Sequence, residues 1–405
     1  MNNKILLPLL ALTPCSIFAG EALPITEEKE DWFKFSVEAR ARIEQRNEQG
    51  SDNSWAGTFR IRPGFYLGKD EGFAAFAQTE HTLAFTDDYK SGPQPQLTPN
   101  RDGNTPILDP ENNELNQLYA QYKGFGGLAR VGRQRIIYDN AAFIGNVGWR
   151  QNEQTFDAAN INYDVASLKL KYAYMNRVNR IFGTDAVQGA KSLQGDSHIF
   201  NASCGFGEHQ ATGYIYLMDF DKQNFNPSNS ANNNTYGLST DLKTACGNLH
   251  IEGAYQTEAG DKADYEAGYG HIIFGRQFGN FQWNLATEYL GKGFVTPLAT
   301  VHAFNGFADV FINDRLGLSE KGQGLTDFYT GVSTKAADIT FKSNIHGFFD
   351  DSVKDFYGWE IDAVAIKPIT EDIKAIAKFA QFFGDDSSVY NNDVTQFSVE
   401  LNYTF

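Results

Sequence analysis

The segment TQFSVELNYTF ends the chain, with Phe397, Val399, Leu401, Tyr403 and Phe405 alternating with Gln396, Ser398, Glu400, Asn402 and Thr404. Side chains two residues apart share one face of a strand but different faces of a helix. The pattern is therefore a strand with one apolar and one polar face. The same period recurs in NFQWNLATEYLG, where Phe281, Trp283, Leu285 and Tyr289 alternate with Gln282, Asn284 and Glu288. In DITFKSNIHGFFD, Ile339, Phe341, Ile345 and Phe349 alternate with Lys342, Asn344 and His346.

About 18 such segments can be counted. They begin near residues 34, 55, 73, 114, 128, 154, 168, 197, 210, 234, 248, 264, 281, 326, 339, 356, 373 and 395. Most run roughly 10 to 13 residues, the length of a tilted strand that crosses a bilayer. Short connections (GKDEG, KGFGG, DVAS, GFGE, ACGN, QFGN, AAD and PITED) alternate with long or polar ones at 45–53, 87–113, 138–153, 178–196, 219–233, 257–263, 291–325, 350–355 and 384–394. Tight periplasmic turns and longer extracellular loops produce this alternation in outer-membrane barrels. The predicted fold is an all-β, antiparallel transmembrane barrel of about 18 strands. Its partners are then outer-membrane lipid, lipopolysaccharide and the barrel assembly machinery, whose terminal signal Phe405 resembles. A large secreted all-β protein is the rival class. No repeat at a fixed period points to a propeller or solenoid.

Composition agrees with a barrel. Mean hydropathy is only −0.41 although aromatics make up 14% of the chain; alternation hides a membrane band from any average. Residues 1–20 read as a secretory signal peptide, with Lys4 ahead of a short apolar core at residues 5–12 and Ala19 near the cleavage site. Residues 21–405 are the barrel domain, and no apolar run beyond residue 20 is long enough for a transmembrane helix. The mature chain keeps Cys204 and Cys246. A disulfide and two free thiols both stay open, because the oxidising compartment permits the bond while their strands are separated by one strand.

VEARARIE and TFRIRPGF place Arg40, Arg42, Arg60 and Arg62 on one face of a hairpin, although the chain carries a formal charge of −16. The expected loop lengths put Arg42 opposite Arg60, Arg40 opposite Arg62, Glu80 beside Arg60 and Gln78 beside Arg62. Val37, Ala39, Ala41, Ile43, Phe59, Ile61 and Phe65 then face lipid. Arg on the lipid face at mid-membrane costs roughly 2–4 kcal/mol, so the arginines face the lumen. Two readings follow. One is a structural ladder with Glu38, Glu44 and Glu80. The other is an anion-attracting constriction, because guanidinium matches carboxylate bidentately and Arg rings are common in anion pores. Ten of the 14 arginines lie before residue 151. Arg130, Arg133 and Arg150 join the candidate lining, although the strand phase around Gly132 is ambiguous and a bulge there decides which arginines point inward. The connection 291–325 is long and rich in Phe; it is expected to fold into the pore with His302, Asn305 and Asp309.

VGRQ, at Val131 to Gln134, and GNVGWRQNEQTFDA, from Gly145 to Ala158, resemble the signature of the alginate export family of outer-membrane barrels. TPLATVHAFNGFADVF, from Thr296 to Phe311, and GLTDFY, from Gly324 to Tyr329, resemble it too. The resemblance implies a monomeric 18-stranded barrel with a basic lumen that passes a polyuronate such as alginate. Export and uptake both stay open, as do a general anion porin and a surface adhesin or receptor. HExxH, GxSxG, phosphate-loop and CxxC patterns are absent. The chain is thus expected to be no enzyme and to hold no cofactor or catalytic metal, and nothing points to nucleic acid. Acidic pairs at Asp87-Asp88, Asp350-Asp351 and Asp385-Asp386 are either calcium ligands or solvated loop residues.

Overall fold

The structure, a computed structural model, describes residues 32–221, 230–319 and 323–405. The signal-peptide segment, residues 1–20, lies outside the described residues. Among the described residues, eighteen strands run in chain order. The first six are β1 (Phe33–Glu48), β2 (Ser54–Gly68), β3 (Gly72–Ala84), β4 (Asn112–Gly124), β5 (Gly127–Gln134) and β6 (Thr155–Val165). They continue as β7 (Leu168–Asn179), β8 (Ser192–Phe206), β9 (His209–Phe220), β10 (Asn233–Thr244), β11 (Gly247–Thr257) and β12 (Glu266–Phe278). The last six are β13 (Phe281–Leu290), β14 (Leu325–Ala336), β15 (Ile339–Phe349), β16 (Phe356–Pro368), β17 (Ile373–Gly384) and β18 (Val394–Thr404). Each pairs antiparallel with its sequence neighbours, and β18 returns to β1 with Leu401 opposite Ala41. Reciprocal hydrogen bonds between Val37 and Phe405, each 2.9 Å, complete the seam. Closure removes both sheet edges, as strands in lipid require.

All strands but one begin within two residues of the positions read from the sequence. The exception is β8, which starts at Ser192 rather than near 197. Gly195 carries it through an irregular pairing: its φ is +153°, and a Cβ there would sit 2.2 Å from the Asp219 carbonyl oxygen. Turns at one end are mostly two residues long. Ala337 and Asp338 both take positive φ, the signature of the type I′ hairpin that suits strand twist. Alternation sets the faces: Ile43, Leu118 and Val131 are exposed outward, whereas Arg42, Glu44 and Gln134 are buried inward.

The hairpin register differs from the expected one by two residues. Arg40 lies opposite Arg60, Glu38 opposite Arg62 and Arg42 opposite Thr58. Arg60 lies opposite Thr82, and Glu80 is ion-paired with Arg62. The cause is a turn centred one residue earlier than expected, near Gly50, with Arg46 opposite Ser54 as the last pair. A slip of two keeps every side chain on its face, where a slip of one would have inverted them all. Cys204 and Cys246 are free and exposed. Asp350 accepts backbone N–H bonds from Lys354 at 2.6 Å and Asp355 at 3.0 Å, so it caps its own turn.

Candidate functional site

Two long connections fold into the barrel. Residues 135–154 and 291–319 meet at its centre, where Ile144 bridges Leu298 and Gly145 N–H donates to Leu298 O at 2.8 Å. Gln154 Nε2 donates to both Gly145 O and Leu298 O. Phe143, Phe294, Phe304, Phe307 and Phe311 are all buried with them. The structure thus places His302, Asn305 and Asp309 inside the barrel. Folding of the connection 135–154 into the lumen was not read from its sequence.

The hairpin arginines hold that first loop. Arg40 Nη atoms donate to Gly148 O at 3.0 Å, Trp149 O at 2.9 Å and Arg150 O at 3.2 Å. Arg60 and Arg62 donate to Gln151 O at 3.3 and 3.1 Å, and Arg42 donates to Trp149 O. Buried backbone carbonyls need donors. A guanidinium, with five N–H groups in a fixed fork, serves several at once and still reaches a carboxylate. Arg42 pairs with Glu400 at 2.6 Å and Asp109 at 3.2 Å. Arg62 pairs with Glu38, Glu80 and Glu153. Arg135 pairs with Glu38 at 2.9 Å and Glu153 at 2.7 Å, and Arg150 with Glu44 at 3.1 Å and Asp309 at 3.0 Å. Glu38, Glu44, Glu80, Asp109, Glu153, Asp309 and Glu400 outnumber the guanidiniums they face. The wall is therefore a neutralised ladder that anchors a loop.

Arg130 faces inward, donating to Gln121 at 2.9 Å beside the Tyr119 ring. Arg133 does not. It lies opposite the outward Leu118 and pairs with Asp157 at 2.7 Å on the outer face. The reason is local: β5 ends at Gln134, and the chain then turns inward, so Arg135 enters the lumen instead. Gly132, at φ +126°, allows Leu118 O to within 2.3 Å of where a Cβ would stand.

Trp149 joins the two loops to the wall. The Arg42 guanidinium lies 3.8 Å and Lys378 Nζ 3.7 Å from its ring, and His302 stacks on it at 4.3 Å. His302 Nδ1 bonds to Asp309 Oδ1 at 2.7 Å, which leaves Nε2 to accept from Lys378 Nζ at 2.8 Å. Burial, reinforced by Lys378 and Arg150 against the opposing Asp309, holds His302 down at about 3. Although burial opposes it, His302 and Arg150 hold Asp309 at about 2. An undocked His302 would regain an ordinary value of about 6.5. The docked loop thus binds fewer protons than the undocked one below that pH, and docking weakens as pH falls. By pH 4 the loss from His302 is about 3 kcal/mol. Conductance recorded at neutral pH and at pH 4 should rise or become noisier in acid, and His302→Gln should remove most of the change. Equal traces at both pH values would contradict this account.

Toward the long loops, a cavity of about 990 Å³ opens above this layer. Its lining includes Arg46, Arg150, Arg180, Phe182, Leu193 and Val389. Among the described residues, Arg46 and Arg180 have no ion-pair partner: Arg46 donates to Gln396 at 3.1 Å and Arg180 to Pro297 O at 2.8 Å. Burial alone pulls the Arg180 guanidinium down to about 10. Residues 46 and 180 flank loops, and nothing in their local sequence distinguished them from paired arginines.

Residues 31–181 match the model of the alginate export family. The resemblance read from the sequence is borne out over that span, which contains the first motif. The fold is that of outer-membrane porins from Pseudomonas aeruginosa. OpdQ is similar with a TM-score of 0.65 at 13% identity, covering 93% of this chain and 99% of that one. OccK9 (OpdG) gives 0.68 at 12%, covering 92% and 98%. OpdK with vanillate gives 0.65 at 10%, covering 92% and 98%. No curated protein sequence matches the chain.

Proposed function

We propose that the chain is an outer-membrane channel for small carboxylate-bearing solutes, in particular short uronate-type saccharides. The observation that carries this reading is a pair of guanidiniums with no ion-pair partner among the described residues, Arg46 and Arg180, in the cavity above the loops, whose lining they share with Glu48, Asp309 and Asp314. A desolvated guanidinium gains most from a carboxylate that it can bind bidentately. Phe182, Leu193 and Val389 offer apolar surface to the C–H faces of a ring. The cavity is of small-ligand size, and the two docked loops fill the barrel centre beneath it, which favours a short solute over a long polymer. The OpdK structure with vanillate gives an aromatic carboxylate as precedent for a barrel of this fold. The hairpin arginines have a different part: they fix the loop that forms the floor. The barrel acts as a monomer in the bacterial outer membrane, and its role is passage rather than catalysis.

Reversal potentials under a salt gradient test this. Arg46→Glu with Arg180→Glu should lower the anion-to-cation permeability ratio several-fold and weaken block by galacturonate or a short oligouronate. An unchanged ratio and unchanged block in a folded variant would remove the cavity from the permeation path.

A further inference from the structure

We infer a binding site for a divalent transition-metal ion of the zinc class on the inner wall at β11 and β12, formed by His250, Glu252 and His271. His250 and Glu252 are two apart on β11 and so share its inward face. His271 on β12 is the direct cross-strand partner of Glu252. One ligand atom from each residue lies within 4.8 Å of the others, and His250 Nε2 is 3.6 Å from Glu252 Oε2. Ligands on a tetrahedral zinc, bonded at about 2.0–2.1 Å, stand roughly 3.3 Å apart. Small side-chain rotations therefore close the site.

Two buried nitrogens point to a ligand. His271 is 1% exposed, and its Nδ1 has no hydrogen-bond partner; His250 Nε2 has none either. The atom each ligand does not need is already held. Asp241 accepts from His250 Nδ1 at 2.8 Å, Tyr214 O–H donates to Glu252 Oε1 at 2.7 Å, and the Tyr329 hydroxyl oxygen lies 3.0 Å from His271 Nε2, placed to accept its N–H. Asp241 on Nδ1 orients the His250 ring so that Nε2, which faces Glu252 Oε2 at 3.6 Å, can give up its proton to a metal, the outer arrangement that metal-binding histidines use. Burying the His271 nitrogen without a partner is otherwise unfavourable. Two imidazoles and a carboxylate suit zinc, copper, nickel or cobalt rather than calcium or magnesium. The set leaves a fourth position open to water or to a solute carboxylate. The site lies on β11 only three residues after Gly247 at the short-turn end, and it is separate from the arginine cavity.

The test uses the full mature barrel in detergent, without a polyhistidine tag. Titration with Zn²⁺ by calorimetry, and with Co²⁺ by its visible d–d bands, should show one equivalent bound. His271→Ala and His250→Ala should each weaken Zn²⁺ by more than about tenfold, and Asp241→Asn by about tenfold. His250 is the less buried histidine, so its variant preserves the test if His271→Ala does not fold. No Zn²⁺ binding by the intact barrel, or equal binding by a folded His250→Ala variant, would overturn the inference.

Discussion

Excising residues 293–316 and joining the ends through a short glycine–serine bridge is expected to raise single-channel conductance several-fold. Leu290 and Leu325 are cross-strand partners, so the retained residues 291–292 and 317–324 with the bridge have only to join two adjacent strand ends. The strand ladder around them is continuous without the loop, which makes the barrel independent of it. What the loop contributes is filling. Phe294, Leu298, Phe304, Phe307 and Phe311 sit buried inside the barrel, and Gly306 approaches the Glu360 carboxylate so closely that a Cβ would lie 2.4 Å from it. Removal replaces this packing with water, which also hydrates Glu288, Asp327, Glu360 and Asp362 on the wall. Planar-bilayer recording on a variant that keeps heat-modifiable gel mobility decides the matter. Conductance equal to that of the parent would mean that current bypasses the packed centre.

The contrast between what the sequence discloses and what it conceals follows from the range of the interactions. Strand period is local: Phe397 to Phe405 announce two faces with no knowledge of the rest of the chain. Turns are equally local, and Ala337-Asp338 needs only its own backbone torsions. Register needs the centre of the turn, and the polar run from Gln45 to Asn53 does not mark it to within one residue; hence the error of two. The arginine ladder is harder still. Arg40, Arg42, Arg60 and Arg62 were legible as a set on one face, but their partners are backbone carbonyls of residues 148–151. A carbonyl acceptor is the same in every residue, so no pattern marks it. Trp149 illustrates the same limit: its neighbours Arg42, His302 and Lys378 come from three distant parts of the chain.

Arg42→Met is expected to cost roughly 3–5 kcal/mol, the range for breaking a buried ion pair from one side. The side chain of Arg42 is fully buried and serves Glu400, Asp109 and the Trp149 carbonyl together. Methionine fills much of the volume but removes the cation that Glu400, Asp109 and Glu44 share, leaving Glu400 to Arg40 at 3.7 Å and Glu44 and Asp109 to Arg150 at 3.1 and 3.9 Å. The loss should appear as a lower urea midpoint at unchanged slope, with noisier channel currents because the 135–154 loop loses its central anchor. Adding Glu400→Gln removes one of the stranded charges, so the double variant should recover part of the loss; coupling of neighbouring charges is on the order of 0.5–3 kcal/mol. Arg40→Met provides the internal comparison. Arg40 is more exposed, and its ion pair with Glu400 is longer, at 3.7 Å, so its replacement should cost less. The alternative is a lumen wet enough to solvate all three carboxylates. Ion pairs in that setting contribute only about 0–1 kcal/mol, and Arg42→Met would then be nearly silent. A loss below about 1 kcal/mol would show that water, not the guanidinium, satisfies the junction between wall and loop.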